Sequence, residues 1–126
     1  MKIAALIARI LLGLVFVFFG SNAFLHFLLM ITPPGTAGQF LSAIVVSHYV
    51  YVIGGLQVLG GLLLLINRYV PLALVLLGPV IVNIFFYHFL MDHMGLPLAL
   101  IVVILWFIIY FRYRQYFSGL FVQRAT

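Results

Sequence analysis

The chain has 126 residues, of which 67% are hydrophobic and 6% charged, with six Lys or Arg against a single acid and no Cys. A soluble domain carries about 45–50% apolar and about 25% charged residues, so the composition excludes a water-soluble enzyme, a nucleic-acid module and a disordered chain. It makes the lipid bilayer the solvent for most of the surface, and the missing Cys excludes disulfides, thiolate metal sites and thiol–disulfide exchange.

Four apolar stretches follow one another with short polar breaks, and they predict an all-α integral membrane protein with four spanning helices in an up-down-up-down bundle. The first span covers residues 3–29, about 40 Å of helix. That exceeds a hydrocarbon core of about 30 Å, so it should tilt or run past the interface. Lys2 and Ser21-Asn22-Ala23 imitate a secretory leader, but Arg9 interrupts the apolar run and the run continues to Leu29. Thr32-Pro33-Pro34-Gly35 should end this helix, because Pro cannot continue it. Residues 39–46 are apolar but too few to span, and read as a short interfacial or re-entrant helix. The remaining spans are 49–66, 70–91 and 96–112, the last continuing as a polar helix towards Phe117. Asn67-Arg68-Tyr69 and Asp92-His93-Met94-Gly95 are tight turns of the kind that join antiparallel neighbours. The whole of 1–126 reads as one transmembrane domain.

The cations orient it. With the N-terminus in the cytoplasm, Lys2, Arg9, Arg68, Arg112, Arg114 and Arg124 all fall on the cytoplasmic side, while Asp92 and the four histidines fall on the other. The positive-inside rule then predicts cytoplasmic N- and C-termini, in a bacterial inner membrane. Arg9, Arg68, Arg112 and Arg114 are topology anchors in this reading, and Arg9 snorkels to the near interface or else turns inward to bond helix ends or a partner. Tyr69, Trp106, Tyr110, Tyr113 and Tyr116 form an inner aromatic belt, and Tyr49, Tyr51 and Tyr87 an outer one.

Small and polar residues at membrane depth mark packing faces and a candidate site. Gly13 and Gly20 form one stripe on the first span, and Gly54, Gln57, Val58 and Gly61 share a face of the second. Gln57 serves as packing glue there or lines a ligand cavity. Pro79 should kink the third span and leave the carbonyl of Val75 without its usual donor. Asn22, His26, His48, Asn83, Tyr87, His88 and Asp92 all fall in the outer half, with Asp92 four residues after His88 and able to orient it. No zinc motif such as His-Glu-x-x-His is present, and bis-His haem ligation needs coaxial imidazoles, so no metal is assigned. A quinone or lipid headgroup asks for only one or two donors beside an apolar slot, which this set can meet.

Arg9-Ile10-Leu11-Leu12-Gly13-Leu14 with Gly20, then Gly54-Gly55-Leu56-Gln57-Val58-Leu59-Gly60-Gly61 with Arg68, resemble the first two helices of DoxX-like membrane proteins. Asn83-Ile84-Phe85-Phe86-Tyr87-His88, Asp92, Gly95-Leu96-Pro97 and the run from Tyr110 to Arg114 resemble the last two. The resemblance implies a four-helix inner-membrane protein. Some members are small subunits of membrane oxidoreductases, thiosulfate:quinone oxidoreductase among them, others act in redox homeostasis, and distant relatives are membrane chaperones or cargo receptors. Many members carry an acid where Gln57 stands and a Lys near Ser21-Asn22. Arg9, Gln57 and His88 carry over as positions of interest.

Two functions compete: a quinone- or lipid-binding subunit of a redox system with a pocket among the first three helices, and a non-enzymatic scaffold or chaperone acting through helix packing on a second copy or a partner. A transporter is disfavoured by the lack of charge at mid-membrane. Asp92 is the only carboxylate side chain, so no self-contained catalytic set can be assembled and any enzymatic role is that of an accessory subunit.

Overall fold

The computed structural model describes residues 2–26 and 33–124. The elements are α1 (Lys2–Leu25), α2 (Gly35–Val46), α3 (Tyr49–Ile66), α4 (Val70–Leu90) and α5 (Leu96–Tyr113), with 3₁₀ turns over His93–Gly95 and Arg114–Phe121. No strand occurs among the described residues. α1, α3, α4 and α5 are each long and apolar enough to cross a membrane, and α2, with 12 residues or about 18 Å, is not.

Three boundaries differ from the sequence expectation. α1 stops at Leu25, where His26 takes a left-handed conformation with φ of 53°; the rest of the expected span, Phe27 to Leu29, lies outside the described residues, as does Thr32. Pro34 is extended and leads into α2, so this proline opens the short helix rather than closing the long one. The last helix does not continue as α-helix to Phe117 but tightens into a 3₁₀ stretch after Tyr113, and Phe117 folds back to bury its ring against Tyr110, 5.2 Å away.

Burial in α1 falls on one stripe at helical spacing, Ala5, Ala8, Leu12, Phe16 and Gly20. With Leu64 of α3, Leu74 and Leu77 of α4 and Ile109 of α5 it forms the core. The outside of the bundle is itself apolar: Leu11, Phe19, Leu62, Phe86 and Phe107 are all exposed. Such a surface is stable only against hydrocarbon.

α1 and α3 make the closest seam. A Cβ placed on Gly54 would stand 2.6 Å from Ala23 Cβ and 3.0 Å from the Gly20 carbonyl, one on Gly61 would meet the Gly13 carbonyl at 2.9 Å, and one on Gly20 would meet Gln57 Cβ at 2.8 Å. Position 13 thus faces 61 and position 20 faces 54 and 57, so the two helices run in opposite directions. Backbones this close exclude any side chain. The α3–α4 turn is made by Asn67 and Tyr69, both left-handed at φ of 57° and 55°. The amides of Asn67 and Arg68 return to the carbonyls of Leu64 and Leu63 at 3.3 and 3.1 Å, closing the end of α3.

Arg9 takes the inward of the two placements expected of it, and Trp106 makes a polar contact between helices. Arg9 is buried, and its Nη1 donates to the carbonyl of Leu64 and, at 3.4 Å, to that of Leu65, both in the last turn of α3. A buried guanidinium needs acceptors more than it needs water, and the last carbonyls of a helix, with lone pairs to spare and the negative end of the helix dipole behind them, supply them. Trp106 turns its Nε1–H to the carbonyl of Leu74 at 3.1 Å, which fastens α5 to α4, and its ring stacks on Tyr110 at 5.5 Å.

Candidate functional site

The outer-half residues do not converge as one group. His26 is exposed at the end of α1, its backbone amide bonded to the carbonyl of Asn22 at 2.9 Å, while Asn22 itself is half-buried. His48 is exposed ahead of α3, left-handed at φ of 65°, and stacks on Tyr51 with ring centroids 5.9 Å apart. Gln57 is half-buried in the α1–α3 seam. Asn83 is exposed, and its Nδ2 donates back along α4 to the carbonyl of Pro79 at 2.8 Å. Among the described residues no cluster of three or more His, Cys, Asp or Glu is placed to hold a metal ion.

Tyr87, His88 and Asp92 do come together, at the end of α4. The Tyr87 and His88 rings meet edge to face at 4.9 Å, and Phe40 of α2 packs on Tyr87 at 5.5 Å. His88 Nδ1 lies 3.1 Å from the backbone carbonyl of Asp92. A carbonyl only accepts, so Nδ1 carries the proton and Nε2 is the basic nitrogen of the neutral ring. The expected orienting partner was the Asp92 carboxylate. That group instead caps the following 3₁₀ turn, Oδ1 accepting the amide of Met94 at 3.3 Å. Gly95 lies directly beneath the imidazole, and a Cβ there would overlap the His88 ring. His93 points elsewhere, its Nε2 on the carbonyl of Phe89 at 2.6 Å.

The Tyr87 hydroxyl is buried and has no hydrogen-bond partner among the described residues. A buried O–H left unpaired costs about 1–3 kcal/mol. Native structures retain few such groups, and those that persist ask for a reason. The sequence places Tyr87 in the set but gives no sign of this orphaned donor, because the burial of a single hydroxyl depends on tertiary packing.

Of four cavities that open among the described residues, none is lined by these outer-half residues. One, of about 310 Å³, lies between α4 and α5 and is wholly apolar, with Gly78, Ile81, Phe85, Val103, Trp106 and Phe107 in its wall. A shallower groove of about 390 Å³ runs beside α1 and α3 past Phe24, Gly55 and Leu62, and another of about 650 Å³ follows α2. The fourth, of about 340 Å³, gathers Lys2, Arg9, Asn67 and Arg112 at the other end of α4.

Four helices long and apolar enough to cross a membrane, with an apolar exterior, define an integral membrane protein. More narrowly, the chain belongs to the DoxX family, whose model matches residues 4–89, from the first turns of α1 almost to the end of α4. No curated protein and no solved structure matches it significantly.

Proposed function

We propose that this DoxX protein is a quinone- or lipid-binding membrane subunit associated with a redox system, and that it receives the ligand's oxygen at the Tyr87–His88 end of α4. The observation that carries the reading is the buried Tyr87 hydroxyl without an acceptor. A quinone or ester carbonyl is an acceptor that can enter from the membrane. His88 Nε2, adjacent and basic, can exchange a proton with a reduced headgroup. Asp92 acts through its backbone carbonyl, which fixes the imidazole tautomer. The apolar cavity between α4 and α5 offers the slot for an isoprenoid or acyl tail on the same helix. No nucleophile or general acid–base pair accompanies these groups among the described residues, which favours an accessory subunit over a stand-alone enzyme.

The reading takes the chain as one transmembrane domain of a bacterial inner membrane. Its spans alternate in direction, with Lys2, Arg9, Arg68, Arg112 and Arg114 on the cytoplasmic side and Asp92 and His88 towards the opposite leaflet. The competing scaffold reading needs a free small-residue face. Gly13, Gly20, Gly54 and Gly61 are enclosed between α1 and α3 of one chain, which weighs against their meeting a partner helix.

Trp106 is the only tryptophan and lines the α4–α5 cavity, so its fluorescence reports a quinone arriving there. Titration of the purified protein in lipid nanodiscs with a short-chain quinone should quench it saturably. Tyr87→Phe, which removes one hydrogen bond, should raise the half-saturation point by about tenfold, and His88→Ala should act in the same direction. Quenching that rises linearly and identically in all three proteins, with no quinone in their extracts, would sink the reading.

A further inference from the structure

The cavity at the Arg68 end of the bundle differs in kind from the others. Lys2, Arg9 and Arg112 all line it, with Asn67 and Tyr113, and no carboxylate does. No neutralising acid is near among the described residues: Asp92 is the only acidic side chain of the sequence, and the 21 residues of α4 separate it from Asn67 by about 30 Å. Arg9 is nine-tenths buried. Its Nη1 bonds the Leu64 and Leu65 carbonyls, which are neutral and leave its formal charge intact, and its Nε and Nη2 make no hydrogen bond among the described residues. The cavity also abuts the first turn of α1, a 24-residue helix with no acid there. Its leading amides have no intrahelical acceptor and add positive potential. Charge of one sign gathered around a space of about 340 Å³, with unused N–H donors aimed at it, is a receptor for an anion.

We infer that this cavity binds a phosphate-bearing anion, and that its usual occupant is the headgroup of an acidic phospholipid. The lipid is favoured by the wall of the site: Leu6 lines it and keeps nearly half its surface exposed on the apolar exterior, where an acyl chain would lie. Arg9 donates to the phosphate from inside, Lys2 and Arg112 close on it from α1 and α5, and Asn67 adds an amide. The headgroup thereby ties the first and last spanning helices to the α3–α4 turn. The site is separate from the Tyr87–His88 end and independent of what binds there.

Native mass spectrometry of the full chain in mild detergent, titrated with phosphatidylglycerol and with phosphatidylcholine, tests it. The wild type should bind the anionic lipid about tenfold more tightly than the zwitterionic one. The Lys2→Gln/Arg112→Gln double variant removes two walls without touching a core hydrogen bond and should abolish that preference. Arg114→Gln/Arg124→Gln removes the same charge away from the cavity and should preserve it. Should one of the double variants fail to give a monodisperse protein, Lys2→Gln and Arg112→Gln singly each lose part of the preference. Inorganic phosphate at millimolar concentration distinguishes the sources: displacement of the lipid assigns the site to free phosphate, and no displacement assigns it to the headgroup. Equal binding of the two lipids by the wild type, or equal loss in both double variants, overturns the inference.

Discussion

Arg9 shows how one charge can be held within an apolar bundle. Its guanidinium braces the end of α3, adding a donor to the Leu64 carbonyl, which the Asn67 amide also reaches, and bonding that of Leu65. The long side chain allows this because its methylene stem is apolar and only the head is polar. Replacing Arg9 by Met keeps the stem and removes the donors, so Leu64 keeps only its bond from the Asn67 amide and the Leu65 carbonyl loses its guanidinium donor, at a cost of about 1 kcal/mol. Arg9→Lys, whose ammonium can serve one carbonyl, should recover part of that. Unfolding in mixed micelles of dodecyl maltoside and SDS measures both, and a Met variant as stable as the wild type would show that the stem alone matters. At the other end of the molecule His88 is fixed by equally local means, a carbonyl four residues on and a glycine beneath its ring. The spacing of His88 and Asp92 was legible in the sequence. Which oxygen of Asp92 would answer was not, since the carboxylate has its own use in capping the 3₁₀ turn.

Among the elements, α3 carries a built-in comparison. Gly54 and Gly55 are neighbours of identical type in one helix, but a Cβ on Gly54 meets Ala23 at 2.6 Å whereas one on Gly55 meets nothing within 4 Å. Gly54→Ala must therefore part α1 from α3, at about 1–3 kcal/mol, while Gly55→Ala should gain up to about 1 kcal/mol of helix propensity. The same micellar unfolding assay decides, and a shift of the same sign in both variants would refute the seam as described. The four long helices were legible because each is a predominantly apolar run bounded by turn residues such as Asn67 and Asp92. The glycine pattern on α1 and α3 marked faces but not which helix each would meet. The end of α1 was not legible, because His26 halts it by backbone conformation within a run that stays apolar. The handover from α-helix to 3₁₀ after Tyr113 likewise has no proline or glycine to announce it.

Over the whole molecule the governing feature is its polarity of charge: basic side chains at the Arg68 end, and Asp92, His88 and His93 at the other. A helix bundle with an apolar exterior is free to insert either way up, and the difference between its two ends decides, since translocating Lys and Arg across the membrane is the unfavourable step. In the proposed orientation the phosphate cavity meets the inner leaflet and Tyr87–His88 the outer one. Because the chain contains no Cys, single cysteines can be introduced without first removing any. Tyr69 and Met94 are suited to this, both strongly exposed and at opposite ends of the bundle, and neither contributes charge. In intact bacterial cells a membrane-impermeant maleimide should label Met94→Cys at once and leave Tyr69→Cys unmodified, which then reacts fully when the membrane is opened. The converse pattern would invert the topology. The phosphate cavity would then face an outer leaflet, and Tyr87 would have to draw its ligand from the cytoplasmic side.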